Sequence, residues 1–116
     1  MTATYKNLGQ NAPTAATLTT LYTVPSATSA IVTALIVSNT STTVLDTFKI
    51  SVQVAAAADN IKQYIYGGNT ASTGLGIPPL DTFVASIGLT LAATDVVKCY
   101  STNGTCSFQL YGSEIT

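Results

Sequence analysis

Apolar and polar residues alternate with a period of two along most of the chain, in short runs broken by turn residues. Phe48, Ile50, Val52 and Val54 alternate with Thr47, Lys49, Ser51 and Gln53, which predicts a half-buried strand with one wet face. Residues 31–38 are apolar on both faces, with Ile31, Leu35 and Val37 against Val32, Ala34 and Ile36. That pattern predicts a central strand covered on both sides. Residues 17–24 put Leu18, Tyr22 and Val24 on one face and Leu21 on the other. Pro25 ends the run, because proline cannot donate to a ladder. Residues 61–66 read as a short strand with Tyr64 and Tyr66 on one side, and residues 80–89 place Phe83, Ala85, Ile87 and Leu89 inward. The four alanines at 55–58 are too few for a stable helix. Residues 67–79 read as the one long loop, mobile through its glycines and stiffened at its exit by Pro78-Pro79.

The clearest signal lies at residues 95–114, where two alternating runs flank Asn103-Gly104. Asn-Gly between such runs predicts a hairpin, because both turn residues must take positive φ. The resulting register sets Ser101 against Cys106, Cys99 against Phe108 and Val97 against Leu110. Val97, Cys99, Cys106, Phe108 and Leu110 then share the face that meets a core. Lys98, Tyr100, Ser107, Gln109 and Tyr111 share the other.

Seven or eight strands with no long helical pattern predict an all-β chain, a single antiparallel β-sandwich of jelly-roll or immunoglobulin-like topology. Residues 1–20 are small and polar around Pro13, with Tyr5 and Leu8 as the sizeable apolar side chains before Leu18. They read as a frayed terminus or, by preference, as an extended N-terminal arm that orders against a neighbouring subunit, ahead of a sandwich domain at 21–116.

Composition narrows the function. Charged residues are 8% of the chain and the formal net charge is −1. Lys6, Lys49, Lys62 and Lys98 are scattered, and there is no arginine for bidentate phosphate contacts, so nucleic acid is not an expected partner. No apolar run approaches the length of a bilayer span, no basic stretch leads into an apolar run as in a signal peptide, and neither an export signal nor a membrane partner is expected. Threonine and serine make up about a quarter of the chain. So neutral a surface is weakly hydrated for a monomer, which favours a chain that covers part of itself with partners over a secreted protein with a bare neutral surface.

Little chemistry is available. With no histidine, the common nucleophile–base pair cannot form. The acids are Asp46, Asp59, Asp81, Asp95 and Glu114. Asp81 and Asp95 precede predicted strands, where short acids serve turns. Two cysteines without histidine do not make a zinc site, and the glycines of 67–76 lack a phosphate-loop lysine. No cofactor and no enzymatic activity are expected. Cys99 and Cys106 lie diagonally in the hairpin register, so reduced, buried thiols are favoured over a bond that would need a wider loop or a bulge. Asn39-Thr-Ser and Asn103-Gly-Thr match the glycosylation sequon, by chance in a protein without an export signal. Tyr100 and Tyr111, on the outer face of the predicted hairpin, can be read as a sugar-stacking platform or, preferably, as subunit interface.

Several stretches resemble small structural proteins of tailed bacteriophages, particularly phages of aquatic bacteria. They are Leu8-Gly-Gln-Asn-Ala-Pro, Thr20-Leu-Tyr-Thr-Val-Pro-Ser, Ile36-Val-Ser-Asn, Tyr64-Ile-Tyr, Ile87-Gly-Leu-Thr-Leu-Ala-Ala-Thr-Asp and Tyr111-Gly-Ser-Glu. The likeness covers most of the chain and rests on turns and strand ends rather than on a functional motif. It implies a β-sandwich on the virion, assembled in the host cytoplasm. The implied role is a capsid decoration or cement protein that stabilises the shell, with the major capsid protein or other virion proteins as partners. It also implies a homo-oligomer, a trimer by preference. The alternative is a tail or fibre component, or a surface module binding host glycans. Tyr5, Leu8, Tyr64, Tyr66, Tyr100 and Tyr111 are the candidate interface residues.

Overall fold

The short alternating runs become strands in a computed structural model, which describes residues 1–69 and 74–116. Ten strands are present among the described residues: β1 (Ala3–Asn11), β2 (Thr19–Thr23), β3 (Ser29–Asn39), β4 (Asp46–Gln53), β5 (Tyr64–Tyr66), β6 (Leu75–Ile77), β7 (Thr82–Ala85), β8 (Leu89–Leu91), β9 (Val96–Ser101) and β10 (Cys106–Ile115). The first sheet runs β1-β10-β3, with β7 and β8 sharing the position beyond β3. The second runs β2-β9-β4, with β5 and β6 sharing the position beyond β4. All pairings are antiparallel.

The strand order decides between the two topologies left open by the pattern. β1 pairs with β10, β2 with β9, β3 with β7 and β8, and β4 with β5 and β6. The first half of the chain thus pairs with the second half in reverse order, one long antiparallel ribbon rolled over itself. That is a jelly roll, two four-position sheets face to face.

The predicted hairpin at 95–114 does not form. β9 lies in the second sheet and β10 in the first, so the Asn103-Gly104 turn is an arch that carries the chain across the sandwich. Gly104 takes a φ of 74°, but Asn103 stays out of the positive region that a two-residue hairpin turn demands of both residues. The reason is Asp46, which is fully buried. Its carboxylate accepts the Asn103 N–H at 2.9 Å, the Thr105 N–H at 3.2 Å and the Thr105 hydroxyl at 3.0 Å, and it also accepts the Ser101 hydroxyl. The polar groups flanking the turn are satisfied by a side chain from β4 rather than by each other. The alternation itself holds. Val97, Cys99, Cys106, Phe108 and Leu110 are all buried, facing one another from opposite sheets instead of along one ribbon.

The core between the sheets is built from these residues together with Val32, Leu35, Val37, Phe48 and Ile50. Phe48 is its aromatic hub, with ring centroids 5.3 Å from Phe83, 6.0 Å from Phe108 and 6.1 Å from Tyr66. Cys99 and Cys106 are buried and unbonded, and burial pushes both thiols up to about 12. Asn39 is buried as well, donating to the Val44 and Ile77 carbonyls at 2.9 and 3.0 Å.

Three local expectations are corrected. Residues 1–20, read as an arm, contain β1, which pairs with β10 in the chain's own sheet, so the sandwich begins inside that stretch. Residues 67–79, read as one loop, contain β6; residues 70–73 of that reading lie outside the described residues. The wet face predicted for β4 is covered: Lys49, Ser51 and Gln53 are buried.

Candidate functional site

The functional candidates are the two outer faces of the sandwich. They differ sharply in charge and in cover.

The outer face of the second sheet carries Thr47, Lys49 and Ser51 of β4 beside Lys98, Tyr100 and Thr102. It is folded over by the chain after β4, which makes two 3-10 turns (Val54–Ala56 and Ile61–Gln63) before β5. Lys49 is buried and its ammonium sits 4.4 Å from the centroid of the Tyr100 ring. Burial lowers the Lys49 pKa, with the Asp59 charge opposing the shift. Tyr64 donates to Asp59 at 2.7 Å, and burial followed by that carboxylate raises its pKa. A cleft of about 400 Å³ lined by Val52, Val54, Ala57, Lys62 and Gln63 opens beside this cover. Its amide is already committed, since Gln63 donates to the Ala58 carbonyl at 2.9 Å and accepts the Asn60 N–H at 3.0 Å.

Among the described residues, no segment folds over the outer face of the first sheet in this way. Register and burial put Ile31, Ala34, Ile36 and Ser38 of β3 outward, next to Ser107, Gln109 and Tyr111 of β10 and Thr82 and Val84 of β7. None of these residues is charged. Val84 is 63% exposed and Ile31 38%. A bulge fixes which residues of β3 point out. Tyr111 pairs with Ala34 but Gly112 with Val32, so Thr33 is the extra residue. Gly112 is required there, because a Cβ on it would lie 2.0 Å from the Ile31 carbonyl oxygen.

The six candidate interface residues are dispersed. Tyr5 on β1 is 84% exposed, whereas Leu8, in the bulge of the same strand, is in the core. Tyr64 and Tyr66 were expected on one side. A register shift in the β4–β5 pairing instead sets Tyr64 opposite Ser51 of the outer face and Tyr66 opposite core residue Ile50. Tyr66 packs on Phe83 at 5.2 Å. Tyr64 and Tyr100 share the outer face of the second sheet. Tyr111 lies on the first sheet and donates to Gln109 at 2.6 Å. The Tyr100–Tyr111 platform therefore does not exist, because the two residues are on opposite sides of the molecule. Sequence reasoning missed Ile31, Ile36 and Val84 as surface residues. The signal was present for the first two, in a strand apolar on both faces.

The five acids all serve the fold. Asp46 holds the arch, Asp59 takes the Tyr64 hydroxyl, and Asp81 accepts the Thr82 N–H. Asp95 accepts the Ala55 and Ala92 N–H groups. Glu114 takes Lys6 at 2.8 Å and the Tyr22 hydroxyl at 2.6 Å. Searches against family models, curated proteins and solved structures find no match to this chain.

Proposed function

We propose that this chain is a structural building block of a bacteriophage virion, a decoration or cement protein that binds the assembled shell and stabilises it. The observation carrying this reading is a division of labour. Every acidic side chain is engaged in a hydrogen bond or ion pair within the chain, while one broad sheet face is uncharged, partly apolar and partly exposed. A protein of this kind acts by mass action: it binds the assembled shell better than free shell subunits and shifts the equilibrium toward the shell. The resemblance of its turns and strand ends to small tailed-phage proteins supports the same reading.

The glycan-binding alternative has less support. Its two tyrosines are separated, the Tyr64 hydroxyl is bonded to Asp59, and Lys49 occupies one face of the Tyr100 ring. Quantitative mass spectrometry of purified particles tests the proposal. Hundreds of copies per particle, with particles lacking the chain opening at lower temperature, are the expected result. A few to tens of copies point to the tail, and absence from particles refutes the proposal.

A further inference from the structure

We propose that the outer face of the first sheet is a contact between two copies of this chain. The inference stands independently of the virion reading. Its first support is a mismatch between sequence pattern and cover. β4, polar on its outer side, is buried there by the chain's own turns. β3, apolar on both sides, is left open on one of them. A strand apolar on both faces belongs in a sheet covered on both faces. Among the described residues, Ile31 and Val84 stay exposed on that side, with Ile36 half-buried beside Val84.

The second support is charge. The outward positions of β10, β3 and β7 carry no Asp, Glu or Lys, so two copies of the face meet without opposing like charges. The outer face of the second sheet, with Lys49 and Lys98, cannot do the same. The third is size. Four strand positions about 4.8 Å apart, along a central strand rising about 3.3 Å per residue, give a face of about 700 Å² over the 11 residues of β3. A stable protein–protein contact buries roughly 800 Å² per partner.

A patch that meets its own copy closes as a two-fold pair, with the facing sheets about 10 Å apart as in a sandwich. Ile36 of the inner strand β3 and Val84 beside it on the edge strand β7 form its apolar pair, Ile31 lies further along β3, and Gln109, Ser38 and Thr82 supply hydrogen-bonding groups around Ile36 and Val84. The trimer expected from the resemblance would need a different, heterologous contact.

Sedimentation velocity of the full chain across a concentration series is the test, with far-UV circular dichroism and melting temperature as checks on folding. The expected result is a dimer that Val84→Lys together with Ile36→Lys weakens by at least about 100-fold, while Lys98→Glu on the opposite face leaves it intact. Should Ile36→Lys disturb folding, Val84→Lys with Gln109→Lys replaces that pair, since Val84 is exposed. A monomer at all concentrations overturns the proposal. So does an oligomer that survives both pairs of substitutions, or one lost on Lys98→Glu.

Discussion

Replacing Asp46 by Asn changes one oxygen into an amide nitrogen and nothing else in shape. In the native chain one carboxylate oxygen accepts the Thr47 N–H at 2.7 Å and the Asn103 N–H at 2.9 Å. The other accepts the Ser101 and Thr105 hydroxyls and the Thr105 N–H. Asn keeps the first oxygen. Its NH₂ group then meets the Thr105 N–H, donor against donor, and only the two hydroxyls can turn to accept. The loss is one part-buried backbone N–H left without its partner, about 1–3 kcal/mol, plus the charge assistance in the remaining bonds. Desolvating the carboxylate offsets part of this, so the expected net cost is about 3 kcal/mol. For a domain of this length, that lowers the melting temperature by roughly 12 °C at about 4 °C per kcal/mol. Urea unfolding should show the lower midpoint with an unchanged slope, since the surface exposed on unfolding is the same. Asp81→Asn, whose remaining amide oxygen can still accept the one Thr82 N–H that Asp81 holds, is the control and should cost under about 0.5 kcal/mol. A melting temperature for Asp46→Asn within about 3 °C of the parent would show that the carboxylate does not hold the arch.

Four further outcomes are expected. Gly112→Ala should cost about 2 kcal/mol or more by urea unfolding, because its Cβ meets backbone rather than a side chain that can turn away. Ser51→Ala should be neutral or stabilise by about 1 kcal/mol, because the Ser51 hydroxyl is buried with no hydrogen-bond partner among the described residues; a clear loss would reveal a bond to it. Stability should fall in acid. Burial would raise the Asp46 pKa, but hydrogen bonds from Ser101, Asn103, Thr105 and Thr47 hold it below the usual range, and Lys6 and then Tyr22 do the same for Glu114. Both contributions are complete above the unfolded values of about 3.9 and 4.3 and are lost as pH falls through the lower folded values. Denaturant midpoints measured from pH 6 to pH 2 check this, and a flat profile contradicts it. Cys99 and Cys106 should resist aromatic disulfide reagents at pH 8 until the chain unfolds, since burial holds both thiols neutral; fast labelling of the native protein would contradict that burial.

What the pattern revealed and what it hid divide along sequence distance. Side-chain alternation is local, so the inward set of β9 and β10 was legible without knowing their partners. Partnership was not. The Asn103-Gly104 signal concerns neighbours, whereas the residue that overrules it sits 57 positions earlier. Nothing about Asp46 in sequence separates it from an acid serving a turn, the role that Asp81 does fill. Bulges are intermediate. The one at Thr33 leaves Ala30, Val32, Leu35 and Val37 inward, splitting the set read as one face, and its trace was the lone Gly112 inside an alternating run. The cover over Lys49 was not legible, because it depends on residues 54–67 folding back over the sheet.

These constraints converge on β10. At one end Asp46 grips the arch that leads into it. At the other, Glu114 is tied both to Lys6 of β1 and, across the sandwich, to Tyr22 of β2. Between the two ends β10 is flanked along its length by β1 and β3. The strand carrying Ser107, Gln109 and Tyr111 is therefore held at both ends and on both edges. A surface fixed in this way loses little conformational freedom when a partner settles on it, so more of the contact energy appears as affinity. Loosening the arch should then weaken association as well as folding. Asp46→Asn, studied well below its melting temperature, should form a weaker dimer although Asp46 is buried at the end of the sandwich and contributes nothing to the outer face. Equal dimer affinity in the folded variant would mean that the face keeps its shape without the arch.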